Sequence, residues 1–270
     1  MGGNGGGAVI DSSVAHPARR YDYWLGGKDN FAADRESGDA IERAFPGVRA
    51  AAVANRGVLR RAVRHLAAEQ GVRQFLDIGT GLPTANNTHE VAQAVAPECR
   101  IVYVDNDPLV LSHARALLSS RPEGATAYLH ADLRDPADIL GRPEVRDTLD
   151  LSRPVALMLV AVLHFIPGRG AAAPIVRDLL AALAPGSFLV VTHATADFMA
   201  PAAAAETLAV VEQGKSDFWL RGRAEIAELF AGLDLVEPGI VPNTEWRPDA
   251  GTEPLDLDVV NCWAGVARKP

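Results

Sequence analysis

Short apolar runs recur through the middle of the chain, and each stops at a glycine or an acid. Gln74-Phe75-Leu76-Asp77-Ile78 halts at Gly79-Thr80-Gly81, Ile101-Val102-Tyr103-Val104 at Asp105, and Ala125-Thr126-Ala127-Tyr128-Leu129 shortly before Asp132. Runs of this length, bounded by turn residues, predict strands buried on both faces. The segments between them carry helix signals: Asn87 lies three residues before Glu90, the spacing of a capping box, and Pro108 stands at a helix entrance. Val155-Ala156-Leu157-Met158-Leu159-Val160 after Pro154, and Phe188-Leu189-Val190-Val191 after Pro185-Gly186, predict two further strands with a helix over 171–184 between them. Strands alternating with helices imply a parallel sheet with right-handed crossovers and helices on both faces.

The end of the chain breaks the rhythm. A helix over 224–231 leads to a strand at Leu233-Asp234-Leu235-Val236, and the last strand, Val259 to Val266, follows with no helix between. Two such strands must be antiparallel neighbours. The expected fold is therefore α/β and Rossmann-like, with a mostly parallel seven-stranded sheet and an antiparallel last strand. Residues 73–270 form this domain. Ahead of it, residues 1–12 begin MGGNGGG and predict a flexible tail, and residues 13–72 a helical N-terminal extension. Over 51–68, Leu59, Val63 and Leu66 form one stripe and Arg56, Arg60 and Arg64 another, as in an amphipathic helix that packs on the sheet and leaves its arginines solvated.

Composition narrows the function. With 48% hydrophobic and 22% charged residues in 270, the chain is ordinary globular protein. Its net charge of −8 argues against a nucleic-acid partner, which would need a basic face, so a small-molecule ligand is expected. The extension departs slightly from this balance, with ten Lys and Arg against eight Asp and Glu. Cys99 and Cys262 fit neither a disulfide framework nor a zinc site, which suits a reducing cytoplasm, and no apolar run is long enough to span a membrane.

Asp77-Ile78-Gly79-Thr80-Gly81 fits Asp-x-Gly-x-Gly between a strand and a helix, where glycine lets backbone approach a ligand closely. Asp105 ends the next strand 24 residues after Gly81, near the spacing of a ribose-binding carboxylate, and Asp132 follows the third. Such acids can accept hydrogen bonds from ribose hydroxyls and an adenine amino group, or can be solvated strand ends or helix caps. A dinucleotide site would want a third glycine where Thr84 stands. S-adenosylmethionine, which has no phosphate, needs only the glycine turn and the ribose acid.

The chain here resembles a known family, the S-adenosylmethionine-dependent methyltransferases of actinobacteria long catalogued as a domain of unknown function. The resemblance rests on His16 to Phe31 (HPARRYDYWLGGKDNF), Gln74 to Thr84 (QFLDIGTGLPT), Val102 to Pro108 (VYVDNDP) and Leu163 to Pro167 (LHFIP), and so covers nearly the whole chain. It implies a class I methyltransferase fold and cofactor binding through Asp77, Gly79, Gly81, Asp105 and Asp132. Thr80, Asn106, Leu133 and Tyr23 complete the expected cofactor set. Gly168-Arg169-Gly170 departs from the family, which tends to carry acids there.

The reading is an S-adenosylmethionine-dependent methyltransferase with a small-molecule acceptor and no metal. The alternatives are a non-catalytic cofactor sensor and an NAD-dependent reductase. The aromatic segment Tyr21 to Phe31 is expected to act as a lid, although tyrosine and tryptophan at helical spacing also serve simply to pack. His164 and His193, after the fourth and fifth strands, stand where open α/β sheets bind ligands. His164 is the candidate base or acceptor-orienting group, with histidines satisfied by backbone as the alternative. His193, Phe198, Phe218, Trp219 and Trp246 are expected on the acceptor side, Trp246 either bordering the acceptor or plugging a hairpin.

Overall fold

The computed structural model describes residues 10–117, 119–253 and 255–270. Most of the expected tail thus lies outside the described residues. Three helices come first: α1 (Pro17–Trp24), α2 (Ala32–Ala44) and α3 (Val48–Ala68). The sheet domain then runs β1 (Gln74–Ile78), α4 (Thr88–Val95), β2 (Arg100–Asp105), α5 (Pro108–Leu117), β3 (Ala125–His130), α6 (Pro136–Gly141), α7 (Pro143–Thr148) and β4 (Ala156–Val160). After a 3-10 turn at Leu163–Phe165 come α8 (Ala172–Ala181), β5 (Phe188–Ala194), α9 (Pro201–Glu212), α10 (Arg223–Glu228), β6 (Asp234–Leu235), β7 (Val241–Pro242), α11 (Leu257–Val260) and β8 (Cys262–Arg268).

Strand order is β3-β2-β1-β4-β5-β8-β6, with β7 also on β8. The first five strands are parallel and β8 runs antiparallel to β5. This is the expected class I order. Because side chains alternate across each strand, the sheet carries two cores. Leu76, Ile78, Leu157, Leu159 and Val191 pack toward α6, α7, α8 and α10, while Phe75, Ile101, Met158 and Val190 pack toward α3 and α4. The capping box forms at α4, with Glu90 accepting from the Asn87 amide at 2.7 Å.

Four expectations need correction. The sixth strand is broken into β6 and β7, which share one edge of β8, so seven positions hold eight strands. Pro238 and Gly239, the latter at φ +86°, turn the chain between them. Val259 and Val260 are β-branched and read as strand, yet they lie in α11, which ends at a left-handed Asn261 (φ 37°). The close seat of Gly47 explains this: a Cβ there would meet the Val259 carbonyl oxygen at 2.2 Å, so the α3 entrance fixes that turn in place. His193 lies inside β5 rather than after it. The arginine stripe of α3 is not free either: Arg56 donates to the Ala85 and Asn86 carbonyls, and Arg60 and Arg64 pair with Asp249.

Candidate active site at the carboxyl edge of the sheet

The glycine turn after β1 is held against β2 by the Gly79 amide donating to the Val104 carbonyl at 2.8 Å. Gly79 (φ +76°) is required by packing as well as by dihedral, since a Cβ would fall 2.3 Å from Val162 just after β4. Gly81 (φ +69°) has open space where its side chain would be. Its N–H donates to Asp105 Oδ2 at 2.9 Å, and the Asp107 N–H donates to Asp105 Oδ1 at 2.9 Å. The acid at the end of β2 therefore shapes the turn directly. Asp77 is buried and accepts from the Thr88 hydroxyl at 2.6 Å. Burial pushes the Asp77 carboxyl up to about 6 and raises Asp105 as well.

Asp132, Leu133 and Asn106 lie beyond the next strand ends. Asp132 is half-buried and clasped by Arg134, whose side-chain hydrogen bond lowers its pKa, while Leu133 is buried and Asn106 exposed. Thr80, between the two glycines, is half-buried and donates its N–H to the Val104 carbonyl at 3.3 Å.

The helical extension reaches this edge through Arg19, Arg20 and Phe31, which packs on Leu82, Leu109 and Val110 beneath the Arg19 guanidinium. Trp24 packs in a small core with Val48 and Ala52. Tyr21 donates to the Ala52 carbonyl at 3.0 Å and accepts from Asn55, and burial pushes its hydroxyl up to about 12. Tyr23 donates to Asp39 at 2.7 Å beneath the Arg49 guanidinium, so the structure commits it to the helical layer. Asp22 organises the double-glycine loop: a Cβ on Gly27 would sit 1.9 Å from its Oδ1, and its Oδ2 takes the Asp29 amide and the Asn30 side chain. Arg19 forks onto buried Asp107 through Nε at 2.7 Å and Nη2 at 3.0 Å. Burial pushes Asp107 up, but the Arg19 bond and the Leu109 amide outweigh it and hold the carboxyl below its ordinary range. Arg20 pairs with Asp217 and lies over the Phe218 ring. Adjacent residues of α1 thus fasten it to the end of β2 on one side and to the 217–218 segment on the other.

Beyond β4, His164 is 6% exposed, its ring 5.2 Å from Phe218, 4.5 Å from Phe165 and 5.6 Å from His193. Its Nδ1 is buried and has no partner among the described residues, and burial, aided by His193, Arg221 and Arg20, drives its pKa well down, so the ring is neutral. The Trp219 N–H donates to the His164 carbonyl at 2.7 Å. His193 is fully committed: Nδ1 bonds the Ala194 carbonyl at 2.7 Å, Nε2 accepts from Arg221 at 2.9 Å, and burial takes it down to about 3. Phe198 lies tilted against Trp263, and Trp246 is fully buried on the α3 side, edge-on to His65. His164, Phe218 and Trp219 are brought together, whereas Trp246 fills the core rather than the strand ends.

Arg221 is the residue that sequence reasoning missed. It is 1% exposed and donates to the Leu163 (3.0 Å), Ile166 (2.8 Å) and Gly168 (2.9 Å) carbonyls, to His193 and to Glu225 (3.0 Å). One guanidinium thereby fixes the loop that carries His164. A lone arginine after Leu220 has no spacing signal; its role exists only once three loops converge.

Residues 4–270 match the model of a family described as S-adenosyl methyltransferase. The crystal structure of a DUF574 family protein from Streptomyces avermitilis MA-4680 is 51% identical, covers 97% of this chain and 100% of its own, and superposes with a TM-score of 0.91. A protein from Thermobifida fusca YX is 45% identical over 96% of each chain, with a TM-score of 0.86. The N-methyltransferase NodS from Bradyrhizobium japonicum WM9, in complex with S-adenosyl-L-homocysteine, shares the fold: 16% identity, 93% of this chain, 99% of that chain and a TM-score of 0.50. Among curated proteins, none matches the chain.

Proposed function

The chain belongs to the S-adenosyl methyltransferase family, and from that premise we propose that it methylates a small molecule held between the glycine turn, the His164 loop and α1. The observation that carries this reading is the pairing of Asp105 with the Gly81 amide beneath a helix latched across the strand ends by Arg19 and Arg20.

The donor set suits S-adenosylmethionine. Each Asp105 oxygen takes one backbone N–H, and a carboxylate oxygen has a second lone pair, which leaves room for two ribose hydroxyls. Asp132, the Leu133 amide and Asn106 are available to an adenine ring, the Asp132 carboxylate being shared with Arg134. Asp77, Gly79 and Thr80 line the path toward β4. When bound, the cofactor supplies an electrophilic methyl on a sulfonium. The protein's part is to bring the nucleophile into line and keep water out. His164, neutral and with Nδ1 unpartnered among the described residues, suits a hydrogen bond that orients the acceptor. Phe218 and Phe165 offer an apolar wall beside it. His193 holds Arg221 and is not free to carry a proton. Residues 13–72 serve as a lid over the domain of 73–270, with the aromatics anchoring the helix and the arginines closing it.

The test is incubation with S-adenosylmethionine carrying an isotopically labelled methyl, together with a small-molecule metabolite extract, read by mass spectrometry. Label in a low-mass product that disappears with Asp105→Ala is expected. Cofactor binding without any labelled product across extracts would favour the sensor instead.

A further inference from the structure

The opposite edge of the sheet holds a cavity that the methyltransferase reading does not use. It measures about 430 Å³ and lies at the starts of β1, β4 and β5 and the end of β8, four neighbouring strands. Arg73, Arg153 and Arg268 reach it from three different segments, and among the described residues no Asp or Glu lines it. In a chain of net charge −8 this is a local inversion of sign.

The three guanidinium groups are not equivalent. Arg73 is tied down: its Nε donates to Glu98 at 2.7 Å and its Nη1 to the Ala67 and Val72 carbonyls at 2.8 and 3.0 Å. Its charge is balanced from outside the cavity. Arg153 and Arg268 are exposed, and among the described residues neither has a carboxylate within 4.0 Å. Asp150 lies in the field of Arg153, but one of its oxygens takes the Ser152 N–H and O–H. Asp234 stands opposite Arg268 in the β6–β8 register without forming an ion pair. Two unbalanced positive charges therefore face one space.

The rest of the wall is mixed: the exposed rings of Pro154 and Pro185 stand beside Gln70 and Gln74, with Val72 and Phe188 buried behind them. Gly186 (φ +80°) keeps it open, since a Cβ there would sit 3.4 Å from Pro154 and 3.5 Å from Arg268 Nη2, filling the gap between ring and guanidinium.

We propose that this cavity is a second ligand site, taking a small molecule that joins a phosphate to a flat ring. A phosphate monoester carries close to two negative charges near neutral pH, which matches the two unbalanced arginines, and the guanidinium fork suits its oxygens. The volume falls in the range of ordinary ligand pockets. The ring would lie on the exposed rings of Pro154 and Pro185.

The experiment uses the full chain saturated with S-adenosylhomocysteine, so that the carboxyl-edge site cannot account for binding. Inorganic phosphate and GMP are titrated at low salt, followed by amide NMR shifts and calorimetry. Saturable shifts are expected at Gly71, Gly186 and Ser187, with GMP at least tenfold tighter than phosphate. The Arg153→Gln/Arg268→Gln variant should lose at least tenfold in affinity for both probes, while S-adenosylhomocysteine affinity, which reports on folding, stays as in the wild type. No saturable shift at millimolar probe, or equal binding by the double variant, overturns the site. GMP no tighter than phosphate overturns the ring-bearing ligand.

Discussion

A single carboxylate carries much of the cofactor reading. Asp105→Ala removes an acceptor for ribose hydroxyls and also the partner of the Gly81 amide, so S-adenosylhomocysteine affinity should fall roughly ten- to a hundredfold, about 1.5–3 kcal/mol, measured by calorimetry. Undiminished affinity would remove Asp105 from the site. Arg221→Met strips hydrogen bonds from three carbonyls and His193 at once, and about 3 kcal/mol or more of stability should go in urea denaturation, with Arg221→Lys recovering part of it. A variant as stable as the wild type would deny Arg221 its organising role. The two residues also mark the limit of legibility. Asp105 was readable because a strand end, a glycine turn and a spacing name its position. Arg221 was not, because the three carbonyls it holds lie in a loop over fifty residues away. Trp246 failed for a related reason: its place in the connection between the last strands suggested the ligand edge, but the 243–249 segment folds back along α3, where Arg61 accepts the role of tether through the Asn243 and Trp246 carbonyls.

Among the elements, those with a local signal were the readable ones. The strands of the parallel sheet are largely continuous apolar runs because helices cover both faces, and their order is the one that the family resemblance implied. The β6–β7 break and α11 follow instead from what packs around them, so Val259 and Val260 misled. Within the aromatic segment the side chains divide: Tyr21, Tyr23 and Trp24 bind α1 to α2 and α3, while Phe31, with Arg19 and Arg20, reaches the strand-end edge. This makes the latch testable as an element. Arg19→Ala leaves Asp107 buried without its cation, so amide exchange over Pro17–Trp24 should quicken at least tenfold, while exchange in β1 and β4 stays slow. In the wild type, S-adenosylhomocysteine should slow exchange across Tyr21 to Phe31, as expected of an ordering lid. Protection that appears at 77–81 alone would leave the extension a fixed appendage.

For the whole molecule, the burial of titratable groups at the carboxyl edge sets how stability responds to acid. His164 and His193 are held neutral, the second down to about 3, so below the ordinary histidine value near 6.5 the unfolded chain binds up to two protons that the folded chain refuses. Stability is therefore lost as pH falls through 6.5. Asp77, raised to about 6, acts in the opposite sense: the folded chain takes its proton first, and stability is gained as pH falls through 6. Asp105 is raised too and adds to that gain. Two histidines outweigh one to two carboxyls because their window opens at higher pH and each contributes about 1.4 kcal/mol per pH unit. His89, also held down by burial, adds to the loss and Asp22, raised by burial, opposes it, so between pH 7 and 5 the urea midpoint should fall, well before the salt-bridged acids Asp107 and Asp132 titrate. Asp77→Asn removes the compensating carboxyl and should steepen the loss, whereas His193→Gln should flatten it. A midpoint that stays constant from pH 7 to 5 even in Asp77→Asn would mean that the two histidines do not resist protonation in the folded chain, and with that the neutral His164 assumed for acceptor binding would fall.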